Sequence, residues 1–367
     1  MENIYFRTSD LTVGYNKKPL IKDINIDVDF GEIVTMIGPN GAGKSTILKS
    51  ITKHLEMVGG EAFIADASLA HLSFKTLAQQ MSVVLTEKKI KGELLTCYDV
   101  VATGRYPYTN SLGVLDEKDR VKVSEAMKKA HVEELASRDF SAISDGQRQR
   151  VLLARAICQE PKIIVLDEPT SFLDIKHKLE LLNILHTMAK KENIAVLMSL
   201  HEIDLAQKIS DKVICVHGDS IEHFGRPNDI FTDEIIRKLY SIEKGSYNIT
   251  FGSVELPKPV GEPEVFVIAG NGKGIPVFRE MTRLGIPFST GILHENDVDF
   301  YVAKNLASDL ISVPAFEEIS EESLEKALEA IKKCRRVILA NDKIGLSNKR
   351  VTTLIDEAKA QGKLERA

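Results

Sequence analysis

The sequence predicts an α/β protein in two parts, a larger domain interrupted by a helical subdomain and a small C-terminal domain of βαβα type. Three observations predict it. The apolar run Ile33–Ile37 leads into Gly38-Pro39-Asn40-Gly41-Ala42-Gly43-Lys44-Ser45-Thr46, then into an amphipathic helix marked by Ile47, Leu48, Ile51 and Leu55. Residues 141–225 alternate helix and strand patterns. Beyond a proline-rich stretch at 255–263, four apolar runs alternate with four helical patterns.

The glycine-rich run matches G-x-x-x-x-G-K-[ST] without a gap. Its glycines let backbone N–H groups turn toward phosphate oxygens, where a Cβ would obstruct. Lys44 can reach the β- and γ-phosphates, Ser45 can hold Mg²⁺, and the helix opening at Lys44 adds its positive end. A glycine turn without nucleotide is the plain alternative; the strand before it and the helix after it argue against that.

Residues 81–85 read as a strand, and residues 88–140 as a charge-rich, largely helical subdomain. Within it, residues 117–136 show helical spacing through Val121, Val123, Met127 and Leu135. In Ile143-Ser144-Asp145-Gly146-Gln147, Ser144 reads as the N-cap of a helix striped by Val151, Leu152, Ala154 and Ile157. That helix start is a second anion site in the same chain, which suggests a two-faced phosphate clamp.

Residues 163–166 form a buried-strand pattern ending in Asp167-Glu168, punctuated by Pro169. In phosphoryl transfer the first such acid holds Mg²⁺, and the second can orient and deprotonate the attacking water. A pair of solvated acids is the alternative, disfavoured by the four apolar residues before them. The run 194–200 is another buried strand with His201 just past its end. A lone histidine is more often a packing residue, but the carboxyl edge of a parallel sheet beside a phosphate site favours function. Residues 212–217 continue the alternation, and a helical pattern at 232–240 is expected to close the first domain.

These motifs resemble, in order and spacing, the ATP-binding subunits of ABC transporters over residues 1–250. The signature is ISDGQ (143–147), the strand acids are LDEPT (166–170), the loop Ser171-Phe172-Leu173-Asp174 follows, and His201 is the switch histidine. Val13-Gly14-Tyr15 looks like the loop on which adenine stacks. Val101-Ala102-Thr103-Gly104-Arg105-Tyr106-Pro107-Tyr108 and the Asp145 form of the signature are similar to importers of iron–siderophores, haem and cobalamin. The resemblance implies ATP and Mg²⁺ as cofactors. It implies Glu168 and His201 as catalytic groups, Ser45 and Asp167 as Mg²⁺ ligands, and Tyr15 and residues 38–46 as the nucleotide site. Ser144, Gly146, Gln147 and Asp174 are implied as further nucleotide-site residues, with the Ser144/Gly146 helix end coming from a second copy, so that two chains sandwich each ATP. Closure would move separate permease subunits, fed indirectly by an extracytoplasmic substrate-binding protein. Importers of another substrate such as a metal ion, a soluble ABC ATPase acting in repair or translation, and a regulatory module with impaired hydrolysis remain alternatives.

One departure stands out. The family's glutamine after the strand at 81–85 is replaced by Thr86, followed by Glu87. Thr86 offers a shorter oxygen ligand to Mg²⁺. Glu87 adds a carboxylate that would repel the γ-phosphate.

Composition agrees with this reading. Hydrophobic residues make up 43% of the chain, and the net charge of −5 gives no electrostatic case for nucleic acid. The four cysteines form no C-x-x-C pair and read as reduced structural thiols. The N-terminus carries no signal-peptide pattern, and no stretch approaches the roughly 18 apolar residues of a membrane span. The expected location is peripheral, on the cytoplasmic face of the cell membrane, with another chain forming the pore.

The domains expected are 1–254, with the helical subdomain at 88–140, a stiff linker at 255–263, and 264–367. In the last, strands are expected at 264–269, 288–293, 310–313 and 337–340, and helices at 276–284, 298–305, 320–333 and 348–361. Gly270-Asn271-Gly272-Lys273-Gly274 follows the first strand, with Glu295, Asn341 and Asp342 on the same edge. The glycine spacing is not G-x-G-x-x-G. A dinucleotide, another small ligand, and a structural or dimer-contact role all stay open for it.

Overall fold

The computed structural model describes residues 4–85, 95–110 and 113–367; Thr86 and Glu87 lie outside them. Its contacts divide the chain into two units, Met1–Thr232 and Asp233–Ala367.

The first unit opens with an antiparallel sheet. β1 (Ile4–Tyr15) pairs with β2 (Lys18–Ile24), β3 (Asp27–Asp29) and β5 (Met57–Ile64), and β6 (Ala67–Ser68) pairs with β5. The second sheet uses β4 (Ile33–Ile37), β7 (Met81–Val84), β8 (Ile163–Asp167), β9 (Ala195–Ser199), β10 (Lys212–His217) and β11 (Ser220–Gly225). Its order is β11-β10-β4-β9-β8-β7, parallel except for β11. Every residue of β4, β8 and β9 is buried, which explains their unbroken apolar runs.

α1 (Lys44–Ile51) follows β4, and α2 (Phe74–Gln80) precedes β7. The helical subdomain contains α3 (Cys97–Ala102), α4 (Glu117–Lys129) and α5 (Asp145–Cys158). Each of the three starts with a capping box: Thr96 with Asp99, Asp116 with Asp119, Ser144 with Gln147. α4 is shorter than the expected 117–136. His131 takes a φ of 52°, its N–H meets the Lys128 carbonyl, and the Val132 N–H meets that of Met127. This is a Schellman stop, and only a short 3₁₀ turn, Glu133–Leu135, carries the apolar stripe onward. α6 (Ile175–Glu192), α7 (Ile203–Ile209) and α8 (Pro227–Ile230) complete the unit.

The second unit begins with α9 (Asp233–Leu239), expected to close the first domain but packed here on β12 (Ser246–Asn248). β12 forms a hairpin with β13 (Ser253–Glu255), which the sequence pattern did not suggest. Glu255, read as the start of a linker, is buried and ion-paired to Arg279 at 2.5 Å. The proline-rich stretch therefore lies within this unit. Then follow β14 (Val265–Ile268), α10 (Gly274–Leu284), β15 (Phe288–His294), α11 (Val298–Leu306), β16 (Asp309–Val313), α12 (Glu321–Lys333), β17 (Arg336–Leu339), α13 (Val351–Ala360) and β18 (Leu364–Arg366). The sheet is wholly parallel in the order β16-β15-β14-β17-β18. One apolar cluster gathers α10 and α11 around the stacked rings of Phe278 and Phe288, and another gathers α12 and α13.

Candidate functional site

β4 delivers the glycine-rich loop to the carboxyl edge of the first unit's parallel sheet. Two glycines there are required by space as well as conformation. Gly38 has a φ of 148°, and a Cβ would lie 2.2 Å from the Val216 carbonyl oxygen. Gly43 has a φ of 94°, and a Cβ would lie 2.4 Å from Ile21 Cδ1. Lys44 opens α1 and is buried; its Nζ donates to the carbonyls of Gly38 (2.7 Å) and Pro39 (3.1 Å). Burial draws the Lys44 pKa down, while the nearby Glu168 and Asp167 carboxylates push it back up. The half-exposed Tyr15 sets its hydroxyl 3.1 Å from Thr46 Oγ1, which tethers the ring beside the loop. A cleft of 280 Å³ results, lined by Tyr15, Leu20, Asn40, Gly41, Gly43, Lys44, Ser45, Thr46 and Glu168. Gly38, Pro39 and Ala42 shape the loop from outside that lining.

The strand-end acids are held by a residue that sequence reasoning missed. β8 and β9 pair with Asp167 opposite Ser199. The buried Ser199 Oγ donates to Asp167 Oδ1 at 2.7 Å and accepts the Glu168 N–H at 2.9 Å. The one signal for it was a hydroxyl inside the otherwise apolar run 194–200. Glu168 adopts a φ of 51°, and its Oε1 lies 2.5 Å from His201 Nε2. Glu202 accepts from the Thr170 hydroxyl at 2.8 Å and pairs with Lys178 at 2.5 Å, so the segment after β9 grips the one after β8. Burial raises the Glu202 pKa, but the bonds from Lys178 and Thr170 leave it below the ordinary glutamate value.

Ser144 caps α5 as expected, accepting the Gln147 N–H at 3.2 Å, while Gln147 Oε1 accepts the Ser144 N–H at 3.1 Å. A Cβ on Gly146 would lie 3.2 Å from Leu173 Cδ2, so the signature packs closely on the loop before Asp174. Asp174 caps α6, and the His177 N–H and ring hold its carboxyl below the usual range. Among the described residues, none of Ser144, Gly146, Gln147, Asp174 and His201 lines the cleft that holds Lys44.

The family model for the ABC transporter matches residues 21–171, and that of the MJ0874 family matches residues 288–364. An uncharacterized ABC transporter ATP-binding protein of Methanocaldococcus jannaschii, MJ0873, is 40% identical over 76% of this chain and 96% of its own length. The chain is an ABC transporter ATP-binding protein. This ABC ATPase is also 34% identical to the probable siderophore transport ATP-binding protein YusV of Bacillus subtilis, over 64% of the chain and 85% of that protein. The cobalamin import ATP-binding protein BtuD of Halobacterium salinarum is 29% identical over 85% of the chain and 79% of its own length. A solved transporter described as metal-chelate type, in an inward-facing conformation, superposes with a TM-score of 0.57 at 27% identity, over 65% of this chain and 89% of that one. As a member of this family the protein binds and hydrolyses ATP.

In this ABC ATPase the helical subdomain is tied to the signature helix by a buried cation. Arg105 Nε donates to Asp119 Oδ1 at 2.9 Å, and its NH1 donates to the Cys158 carbonyl and to Glu160, each at 2.8 Å. Tyr108, stacked under the guanidinium, donates to the Gln159 carbonyl at 2.9 Å. Gln159 in turn donates to the Met81 carbonyl at 2.8 Å, where β7 begins. The end of the signature helix is thereby joined to the strand leading toward Thr86.

The glycine turn of the second unit is not an open anion site. The Asp299 carboxylate is fully buried and accepts the N–H groups of Gly270 (2.7 Å), Gly274 (2.9 Å) and Ile275 (3.0 Å). A residue of α11 thus occupies the place a phosphate would take. The N–H groups on which a dinucleotide would set its phosphates are thus already taken within the unit.

Proposed function

We propose that this ABC ATPase powers import of a metal chelate, an iron–siderophore, haem or cobalamin-like compound, through separate permease subunits. The substrate class rests on the siderophore, cobalamin and metal-chelate relatives. The observation that carries the mechanism is the split site. The cleft holding Lys44 has no wall from residues 144–147, so enclosing the γ-phosphate calls for the signature helix of a second copy.

In this reading Tyr15 stacks on adenine, and the N–H groups of residues 38–46, with Lys44, bind the phosphates. Mg²⁺ fits the donors present, since Ser45 and Asp167 offer hard oxygen ligands and Ser199 holds the Asp167 carboxylate in place. Bound there, the ion would offset phosphate charge. Glu168 takes the proton of the attacking water at its carboxylate. His201, at hydrogen-bond distance from that carboxylate, orients it. Ser144, Gly146, Gln147 and Asp174 of the second copy close the other side. Thr86 lies outside the described residues and remains a further candidate oxygen ligand. No described helix is long and apolar enough to cross a membrane. We place the protein peripherally on the cytoplasmic face, reached indirectly by an extracytoplasmic binding protein.

The test is reconstitution. The chain, co-purified with candidate permease subunits, is placed in liposomes, and ATP hydrolysis and uptake of labelled ferric siderophore, haem and cobalamin are measured. ATP-dependent uptake of one chelate, abolished by Glu168→Gln, is expected. Hydrolysis indifferent to membrane subunits, with no chelate uptake, would favour a soluble ATPase.

A further inference from the structure

The carboxyl edge of the second unit holds a crevice that the ATPase reading does not use. β14 is central: the chain passes from it through α10 to β15 on one side, while β17 on its other side leads on to β18. The loops after β14 and β17 therefore diverge at a topological switch point, where open parallel sheets take ligands. A cleft of 370 Å³ lies there, lined by Asn271, His294, Asn296, Asp297, Phe316 and Ser347 among others. That volume is near the lower end of the roughly 300–1,000 Å³ range of small-molecule sites, so it suits one ring-bearing molecule.

Its chemistry is specific. Phe316 is 91% exposed with a φ of 65°, so an aromatic ring is kept in left-handed backbone without joining the core. Asn341 is 94% buried, given its 6% exposure; its Oδ1 accepts the Lys343 N–H at 3.1 Å, and its Nδ2 is not one of the buried atoms left without a partner. That nitrogen borders Gly270: a Cβ there would come within 3.1 Å of it and 3.5 Å of Asp297 Oδ2. Glycine, at a φ of 141°, keeps the space between them clear. The Asp297 carboxylate is fixed by the N–H groups of Asn271 (2.8 Å) and Asp299 (2.9 Å) and retains lone pairs for a ligand. It stands just past the second strand of a βαβ unit, near the position from which doubly wound folds bind ribose hydroxyls. His294 directs Nε2 to the Glu317 carbonyl at 3.0 Å, which leaves Nδ1 as an acceptor in the neutral ring. Phosphate has no place on the adjoining turn, because Asp299 already occupies its N–H groups.

We propose that this crevice binds a nucleoside without using a phosphate: the ribose diol on Asp297, the base against Phe316, and the base edge read by the neutral amides and His294.

The test uses the full chain with a non-hydrolysable ATP analogue saturating the phosphate-loop cleft. Adenosine, guanosine, cytidine and uridine are titrated by calorimetry. One of them is expected to bind once per chain and more tightly than its 2′-deoxy counterpart. Phe316→Ala should weaken it on the order of 10- to 100-fold, as loss of base stacking does. Asp297→Asn, which keeps a side chain able to cap α11, should erase the preference for ribose. Both variants should retain ATP-analogue affinity, and Phe316→Ala the wild-type unfolding temperature; Asp297→Asn, whose single amide oxygen leaves one of the two N–H groups unpaired, should unfold somewhat earlier yet still bind the 2′-deoxy nucleoside, which separates a binding role from a folding one. The proposal is overturned if no nucleoside binds, if binding disappears once the analogue is present, or if both substitutions leave it unchanged.

Discussion

His201 Nε2 lies 2.5 Å from Oε1 of Glu168, while the Ser171 hydroxyl stands 3.3 Å from the other carboxylate oxygen. The carboxylate is thus gripped from the segments after β9 and β8 together. Both side chains keep part of their surface in solvent, 36% for His201 and 26% for Glu168, so water can reach the pair. This is the geometry that the proposed mechanism asks of a base and its orienting partner.

Replacing Glu168 by Gln preserves size and leaves Lys44, Ser45 and Asp167 untouched. ATP affinity should persist, while turnover falls on the order of 10²–10⁴, the usual loss for a general base. The variant should also accumulate as an ATP-bound dimer, visible by light scattering. Turnover near wild type would place the base elsewhere, with Glu87 the first suspect.

Ser199→Ala removes the bridge between Asp167 and Glu168. The Glu168 N–H would lose its partner and Asp167 a donor, costing about 1–3 kcal/mol of stability. If Asp167 holds Mg²⁺, the Mg²⁺ concentration for half-maximal hydrolysis should rise more than the KM for ATP. Wild-type stability together with an unchanged Mg²⁺ requirement would show that the bridge is dispensable.

Ser199 also marks where the sequence stopped being legible. Buried strands, caps and the phosphate loop are local patterns, and β4, β10, α5 and most of the second unit's elements fell within a residue or two of expectation. Opposition of Asp167 and Ser199 depends on parallel register, which no local pattern encodes. The same holds for Asp299, whose carboxylate reaches the glycine turn from another helix and takes up its N–H groups. The hairpin of β12 and β13 was hidden because its strands have three residues each, too few to display a period. Residues 232–240 read correctly as a helix, but helical spacing says nothing of which unit buries it.

Tyr15 and Lys44 should separate adenine from phosphate recognition. Tyr15→Ala is expected to weaken ATP and ADP alike by about 1–3 kcal/mol, if stacking here resembles that on nucleic-acid bases. Lys44→Ala should impair ATP binding and turnover more than adenosine binding to the same cleft. Fluorescence titration with ATP, ADP and adenosine resolves the two. Equal ATP affinity in wild type and Tyr15→Ala would remove Tyr15 from the site.

The Arg105 hub predicts acid sensitivity in the helical subdomain. For Asp119 and Glu160 burial raises the carboxyl pKa, but the bonds from Arg105, joined by Lys122 at Glu160, more than offset it and hold both below the ordinary range. Their contribution is therefore present above the unfolded carboxyl values near pH 4 and is lost as pH falls through the lower folded ones. Arg105→Ala leaves the buried Asp119 unpaired with it and should cost about 3–5 kcal/mol at pH 7. By urea unfolding, the gap between variant and wild type should shrink markedly at pH 3. A gap that stays constant with pH would mean that Arg105 acts by packing alone.

Where the chain can be cut follows from its contacts. Every residue proposed for nucleotide chemistry precedes Thr232, where the first unit ends. A chain of residues 1–232 should fold, bind ATP within a few-fold of the full protein, and retain Glu168 and His201 in place. Stopping after Gly252 looks natural from the proline-rich stretch, but it would strand α9 and β12. β12 would lose its pairing with β13, and the Asn248 amide would lose the Tyr301 carbonyl it reaches at 3.1 Å. Ile236, Leu239 and Tyr247, now buried, would be exposed. Apolar surface of that kind promotes association, so the 1–252 chain should aggregate more readily, and trypsin should cleave it beyond Thr232. Nucleotide titration, size-exclusion chromatography and limited proteolysis of both chains supply the comparison. A folded 1–232 chain unable to bind ATP, or a 1–252 chain protected through Asn248, would show that the second unit contributes to the first in a way these contacts do not express.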